Sequence, residues 1–187
     1  MLHLGRSFGM VGAMAENEDD LRIRPAVVAD APRIAQVHIA SWQEAYSGIV
    51  PAQVLDNLDL ARREEQWRAA LENAERDGVR AWVAETGDRL VGFCSLGPSR
   101  DEDADRRTWE IYSIYLEPDT WGRGVARELM RTMLAEVPAD APVTLWVLAD
   151  NERARHFYRR HGFQPDGTER LEPFGEAQLL EVRYRRG

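Results

Sequence analysis

Residues 116–126 have the sequence LEPDTWGRGVA, in which a predicted strand ends, two glycines follow and an amphipathic helix begins. Glycine has no Cβ atom, so the backbone can approach a ligand closely there. The free N–H groups of the first helical turn point towards that ligand, and the helix dipole favours an anion. The stretch has neither the P-loop lysine nor the three-glycine dinucleotide spacing. It predicts a phosphate-binding turn; the alternative is a tight connection whose glycines serve packing alone.

The segments on both sides of this turn alternate between strand and helix patterns. Alternating or continuous apolar runs predict strands at 21–24, 81–84, 90–94, 109–117, 143–148 and 178–185. Apolar residues at helical spacing predict helices at 30–48, 55–74, 124–137 and 151–161. This order of elements predicts one α/β domain with a mixed sheet over residues 21–187. We expect residues 1–20 to form a disordered tail outside it.

Composition and charge exclude several classes of protein. Hydrophobic residues make up 44% of the 187 residues, which is enough for a folded core. The net charge of -8 argues against a nucleic-acid-binding protein, which needs a basic surface. Cys94 is the only cysteine, so an internal disulfide is excluded, and we interpret it as a small core residue. No apolar run reaches the roughly 18–20 residues that cross a bilayer. We therefore expect a cytoplasmic protein that binds neither nucleic acid nor membranes.

Acidic residues and histidines show no metal-binding pattern. Residues 100–107 are rich in aspartate but lack the glycine and closing glutamate of a calcium loop, so they predict a solvated connection. His38, His156 and His161 have no ligand spacing with one another. We therefore expect no metal.

Four motifs, in order, resemble the GNAT superfamily of acetyl-CoA-dependent N-acetyltransferases. Trp121-x-x-Gly124-x-Ala126 resembles its Gln/Arg-x-x-Gly-x-Gly/Ala signature, with tryptophan at a position that contributes mainly a backbone N–H. The others are the strand at 114–118, an asparagine followed seven residues later by a tyrosine at 151–158, and a Gly-Phe ending at 162–163. Residues 41–46, SWQEAY, look like a bacterial subgroup. The resemblance spans residues 21–185 and implies a mixed, mostly antiparallel central sheet with helices on both faces.

The resemblance also implies the residues of an acetyl-CoA site. The residues expected to bind the coenzyme are Ile114, Tyr115, Leu116, Gly122, Arg123, Gly124, Val125, Ala126, Arg127 and Asn151. The strand residues would hold the pantetheine arm as an added strand does, and the turn would hold the phosphates. Asn151 is also a good helix N-cap.

Two residues are the candidate catalytic groups. An alkylamine with a pKa near ~10 is mostly protonated at pH 7, so a base must accept a proton before the amine attacks. By this resemblance Glu110 lies where histone-type members of the family carry their catalytic glutamate, and it is the only charge in residues 109–114. Tyr158 resembles the family's general acid. The alternatives are a solvated glutamate at a strand edge and an ordinary helix aromatic.

The acceptor site is predicted only in outline. Trp42, Tyr46 and Tyr112 are the candidate substrate-binding residues, and packing in the core is the alternative for the first two. Aromatic rings with a glutamate suit a cationic amine, so polyamines, aminoglycoside-like amines and peptide N-termini all stay open. The function predicted is acetyl transfer from acetyl-CoA to a primary amine by direct attack in a ternary complex. Alternatives are a catalytically idle acyl-CoA-binding module and a general nucleotide-binding protein. A homodimer is compatible with the sequence.

Overall fold

The computed structural model describes residues 21–187, so the tail predicted at residues 1–20 lies outside the described residues. The strands are Leu21–Pro25 (β1), Arg80–Thr86 (β2), Arg89–Pro98 (β3), Trp109–Leu116 (β4), Val143–Leu148 (β5), Gln164–Phe174 (β6) and Ala177–Arg186 (β7). The helices are Ala31–Ala45 (α1), Ala52–Asp56 (α2), Leu60–Asn73 (α3), Val125–Ala135 (α4) and Glu152–Arg160 (α5). The sheet order is β1-β2-β3-β4-β5-β7-β6, and each described pair is antiparallel except β4 with β5. The predicted mixed, mostly antiparallel sheet is confirmed.

Helices cover both faces of this sheet, as predicted. On one face α4 packs through Val125, Leu129, Met130 and Met133, and α5 packs beside it. On the other face α1 and α3 enclose a second core centred on Phe93. Burial of these apolar side chains is the main favourable contribution to folding, at about 25 cal/mol per Å². Cys94 is completely buried in the first core, and burial raises the pKa of its thiol, so the interpretation as a core residue is confirmed.

Two parts of the fold differ from the sequence prediction. The helical region predicted at 55–74 is two helices, because the Asp59 side chain caps α3 by accepting a hydrogen bond from the backbone N–H of Arg62. Strand β6 was not predicted. It lies at the sheet edge, pairs only with β7, and is mostly exposed, so its sequence has no apolar alternation.

Strands β4 and β5 separate partway along their length. Their parallel pairing covers only Trp109–Ile111 against Val143–Leu145. Beyond this point β4 stays paired with β3, and β5 stays paired with β7. The facing backbone edges of the two strands therefore have N–H and C=O groups without a neighbouring strand, and a cleft opens between them.

Candidate active site

A cleft of about 1130 Å³ lies where β4 and β5 separate. Its walls come from these two strands, the N-terminus of α4, the inner face of α5, the end of α1 and parts of α2, α3, β6 and β7. The structure brings every residue predicted for catalysis, coenzyme binding and substrate binding to this one cleft. These residues come from five elements, which only the fold brings together.

The turn before α4 presents backbone N–H groups to the cleft. Gly122 and Gly124 have φ of 81° and 84°, a left-handed conformation that glycine adopts without strain. A Cβ atom on either glycine would meet nothing within 4 Å, so the space in front of the turn is open. Gly124 is the N-cap and has no side chain to bond the free N–H groups of the first turn. The turn can therefore bind an anion through its backbone.

The side chains around this turn contribute unequally. Val125 is buried in the core, so only its N–H faces the ligand space. Arg127 is 73% exposed, and its one ion pair among residues 21–187 is with Glu128, at 3.5 Å. Arg123 is also exposed. Both arginines are free to turn towards an anion held by the backbone.

Trp121, which stands where the signature motif has glutamine or arginine, forms a hydrogen bond with the last residue of β4. Its Nε1–H donates to the backbone oxygen of Leu116 at 3.3 Å, and the guanidinium of Arg153 stacks on its ring at 3.6 Å. The indole thus lies against one of the strand carbonyls expected to bind the pantetheine arm. Ile114 belongs to the α4 side of the sheet, whereas Tyr115 faces α1.

Glu110 is buried in the wall of the cleft, with 3% of its side chain exposed. Its carboxylate accepts three hydrogen bonds from Arg100: from the backbone N–H at 2.8 Å, Nε at 3.4 Å and Nη2 at 2.5 Å. The guanidinium of Arg100 also lies 4.0 Å from the centre of the Tyr112 ring. Tyr112 donates its hydroxyl to the backbone oxygen of Pro98 at 2.5 Å. Glu110 therefore has a fixed position and a permanent cationic partner.

Tyr158 lies on α5 opposite β4. Its ring packs against Phe157, Phe163 and Tyr184 at centroid distances of 5.5, 6.2 and 6.5 Å. Its hydroxyl lines the cleft without a hydrogen-bond partner among residues 21–187. Burial raises the pKa of this phenol, and the nearby Tyr115 raises it further. Asn151 begins the helix by accepting a hydrogen bond from the N–H of Ala154 at 3.0 Å, as its N-cap role predicts.

An aromatic cluster closes the α1 end of the cleft. The hydroxyls of Tyr46 and Tyr115 are 3.4 Å apart, and Trp42 packs edge-on against Tyr46 at 5.2 Å. His38 stacks on Tyr115 at 4.8 Å and accepts a hydrogen bond from the indole of Trp67. Burial lowers the pKa of His38 to about 3, so this histidine is neutral at pH 7.

Three features of the site were not predicted. They are the clamp of Arg100 on Glu110, the presence of Arg63 beside Trp42, and the Tyr115 hydroxyl next to Tyr46. The chain has 24 arginines, and no local sequence pattern distinguishes Arg100 and Arg63 from the others. Strand alternation alone would place the Tyr115 side chain opposite to Ile114.

Within residues 21–187 no group of three or more His, Cys, Asp or Glu side chains is arranged to hold a metal ion. None of the helices in that part of the chain is long and apolar enough to span a bilayer.

Comparisons of sequence and of structure with known proteins all find N-acetyltransferases. The sequence model of the acetyltransferase (GNAT) family matches residues 39–163. A probable N-acetyltransferase of Mycobacterium tuberculosis is 28% identical over 169 residues, which cover 89% of this chain and 93% of the relative. An uncharacterized N-acetyltransferase of Mycobacterium bovis is 32% identical over 163 residues, covering 83% and 88%. Among solved structures, the PaiA N-acetyltransferase of Thermoplasma acidophilum in complex with coenzyme A matches with a TM-score of 0.69. It is 17% identical and covers 89% of this chain and 98% of its own, a likeness of fold.

Proposed function

The chain belongs to the acetyltransferase (GNAT) family, and we propose that it transfers the acetyl group of acetyl-CoA to a primary amine by direct attack in a ternary complex. The observation that carries this proposal is the separation of β4 from β5 beside the open turn at the N-terminus of α4. The unpaired edge of β4 suits the amides of a pantetheine arm, and the turn suits a pyrophosphate. One cleft thus accepts both halves of the coenzyme.

Glu110 is the proposed base. The amine must lose a proton before its lone pair forms the new C–N bond. A carboxylate offers about four acceptor positions, and Arg100 uses three of those on Glu110. The remaining position is available to the amine or to one bridging water. Arg100 keeps the carboxylate pointed along the wall of the cleft.

Tyr158 is the proposed partner of the leaving group. When the C–S bond breaks, its electron pair leaves on the sulfur. The raised pKa keeps the Tyr158 phenol protonated at neutral pH, and its hydroxyl has no competing partner within residues 21–187. A free thiol has a pKa near ~8.5, below that of the phenol. We therefore expect Tyr158 to stabilise the thiolate chiefly by donating a hydrogen bond.

The proposed function is tested by release of free thiol from acetyl-CoA in the presence of a panel of primary amines. We expect acetyl-CoA to bind by calorimetry and at least one amine to accelerate thiol release. Binding without any acceleration would contradict transfer and indicate an acyl-CoA-binding module. Efficient competition by ATP or NAD would indicate a general nucleotide site.

Replacing Gly124 by alanine is expected to weaken acetyl-CoA binding by about tenfold or more, because a methyl group would enter the anion space and the left-handed backbone costs an alanine about 1 kcal/mol. The measurement is the calorimetric Kd. Gly48→Ala is the matched control, since Gly48 has φ 79° and also has nothing within 4 Å of an added Cβ. Equal Kd values for the two variants would show that the turn does not contact the coenzyme.

Replacing Tyr158 by phenylalanine is expected to lower kcat by roughly 10- to 50-fold, because the thiolate loses one hydrogen bond that forms in the transition state. The Kd of acetyl-CoA should stay nearly constant. Tyr184→Phe is the control: Tyr184 is fully buried outside the cleft and bonds Arg155 and Arg159. An unchanged kcat in Tyr158→Phe would remove this residue from the mechanism.

A further inference from the structure

Arg63 is a cation at the α1 end of the cleft that has no anionic partner among residues 21–187. Arg63, on α3, lines the cleft, and its guanidinium lies 5.8 Å from the centre of the Trp42 ring. Within residues 21–187 it makes no ion pair, although Arg68 on the same helix pairs with Glu64. Arg63 is half-buried, and burial lowers its pKa. A half-buried guanidinium without a carboxylate is unusual, because buried charges are normally paired.

The carboxylates of the cleft are already paired elsewhere. The acidic residues that line it are Glu110, Glu172 and Glu181. Glu110 bonds Arg100, whereas Arg170 pairs with Glu181 at 2.7 Å and with Glu172 at 3.9 Å. None of them neutralises Arg63. A second cation from a polyamine would therefore meet a like charge at this end of the cleft.

Hydrogen-bond donors also exceed acceptors around Arg63. The Tyr46 and Tyr115 hydroxyls share one hydrogen bond, which leaves one O–H proton to donate. Burial raises the pKa of both phenols, so both stay protonated at neutral pH. The buried Trp42 Nε1 and His38 Nε2 have no partner within residues 21–187. These donors would be satisfied by a ligand group that carries several hydrogen-bond acceptors.

We infer that the acceptor amine carries a carboxylate, and that Arg63 binds this carboxylate with help from the Tyr46–Tyr115 hydroxyl pair. The inference rests on the proposed acetyl transfer and names its substrate class: amino acids and other amino-carboxylates. A guanidinium matches a carboxylate with two parallel hydrogen bonds. Arg63, Tyr115 and Tyr158 line the same cleft, so the inferred carboxylate site and the proposed leaving-group partner share one space. In this arrangement the carboxylate of the substrate would bind Arg63, and its amine would be directed into the cleft that Glu110 and Tyr158 line.

The test compares substrates with and without a carboxylate in two variants. The matched pairs are phenylalanine with phenethylamine, methionine with 3-(methylthio)propylamine, and 6-aminohexanoate with hexylamine; the last pair distinguishes a remote carboxylate from an α-carboxylate. Arg63→Gln removes the inferred contact. Arg62→Gln removes the same charge from the next, exposed position of α3 and is the control. Thiol release is the readout, and the Kd of acetyl-CoA checks that both variants keep the coenzyme site.

We expect Arg63→Gln to lower kcat/KM for the carboxylate-bearing amines by about 10- to 100-fold, mostly through KM, because the contact is present before and during reaction. The amines that lack the carboxylate should change less than about threefold, and Arg63→Lys should recover part of the loss. Equal effects of Arg63→Gln and Arg62→Gln on both members of each pair would overturn the inference and leave acetyl transfer intact. No thiol release with any amine in the wild type would overturn the proposed function together with it.

Discussion

Replacing Glu110 by glutamine is expected to lower kcat for amine acetylation by roughly 10²- to 10³-fold. Glutamine keeps the size of the side chain but cannot accept the proton of the amine. The Kd of acetyl-CoA should change little, because Glu110 lies near the start of β4 whereas the turn before α4 follows the end of that strand. The measurement is the initial rate of thiol release at saturating acetyl-CoA, together with the calorimetric Kd.

The pH dependence distinguishes a base from a structural residue. At a pH near ~10 about half of the amine is already neutral without help. The deficit of Glu110→Gln should therefore shrink as the pH rises, whereas a deficit caused by a disturbed fold would stay constant or grow. Glu172→Gln is the matched control, because Glu172 lines the same cleft and its one ion pair within residues 21–187 is with Arg170, at 3.9 Å. A pH-independent deficit, or equal deficits in both variants, would contradict the role of Glu110.

The turn that we propose to bind the coenzyme could be predicted from sequence because its geometry is local. Two glycines, a helix start and the end of a strand lie within residues 116–126, and each property depends on neighbours in the chain. The structure places Gly124 at the N-cap with an open space before it, as the pattern indicates. Trp121 differs from the sequence prediction, which expected only its backbone N–H to contribute. In the structure its indole N–H also donates a hydrogen bond to the Leu116 carbonyl.

The inferred acceptor site could not be predicted, because it depends on ion pairs between residues that are far apart in the sequence. Arg63 lacks a carboxylate partner within residues 21–187 because Arg100 pairs with Glu110 and Arg170 pairs with Glu181. These residues belong to separate parts of the chain. The sequence favoured a cationic amine because it shows the aromatic residues and Glu110. It does not show that Arg100 pairs with Glu110. Strand β6 was missed for a related physical reason: it is held by backbone pairing with β7 and buries little of its own surface.

The acidic segment at 100–107 shows the same limit. It was predicted to be a solvated connection, but Asp101 is largely buried, accepts a hydrogen bond from the Trp146 indole at 2.9 Å and pairs with Arg183 at 3.1 Å. Arg183 also holds Asp103 at 2.6 Å and Asp166 at 2.7 Å. Because Asp101 follows Arg100 directly, this network anchors the loop that positions the clamp on Glu110. An aspartate-rich sequence alone cannot reveal that one buried arginine forms ion pairs with two aspartates of this segment and with a third, Asp166.

Replacing Arg183 by methionine is expected to destabilise the protein by about 3 kcal/mol at pH 7, because it leaves Asp101 and Asp166, whose side chains are 10% and 17% exposed, without their cation. Arg183 is only 5% exposed. For a chain of this size the loss corresponds to a fall in Tm of roughly 6–12 °C. The measurement is the free energy of unfolding in urea, with Arg185→Met as control, since Arg185 is the exposed arginine two positions further along β7.

The effect should depend on pH with a defined sign. Burial opposes ionisation of Asp166, but hydrogen bonds from Thr168 and Arg183 outweigh it and lower its pKa, and the bond from Arg183 lowers the pKa of Asp103. A carboxylate with a lowered folded-state pKa stabilises the protein above its unfolded value of about 3.9, and this contribution disappears as the pH falls through the folded value. The difference between wild type and Arg183→Met should therefore be largest at neutral pH and shrink below about pH 4. A difference that stays constant from pH 7 to pH 3 would show that Arg183 stabilises the sheet through packing on Trp146 instead of through charge.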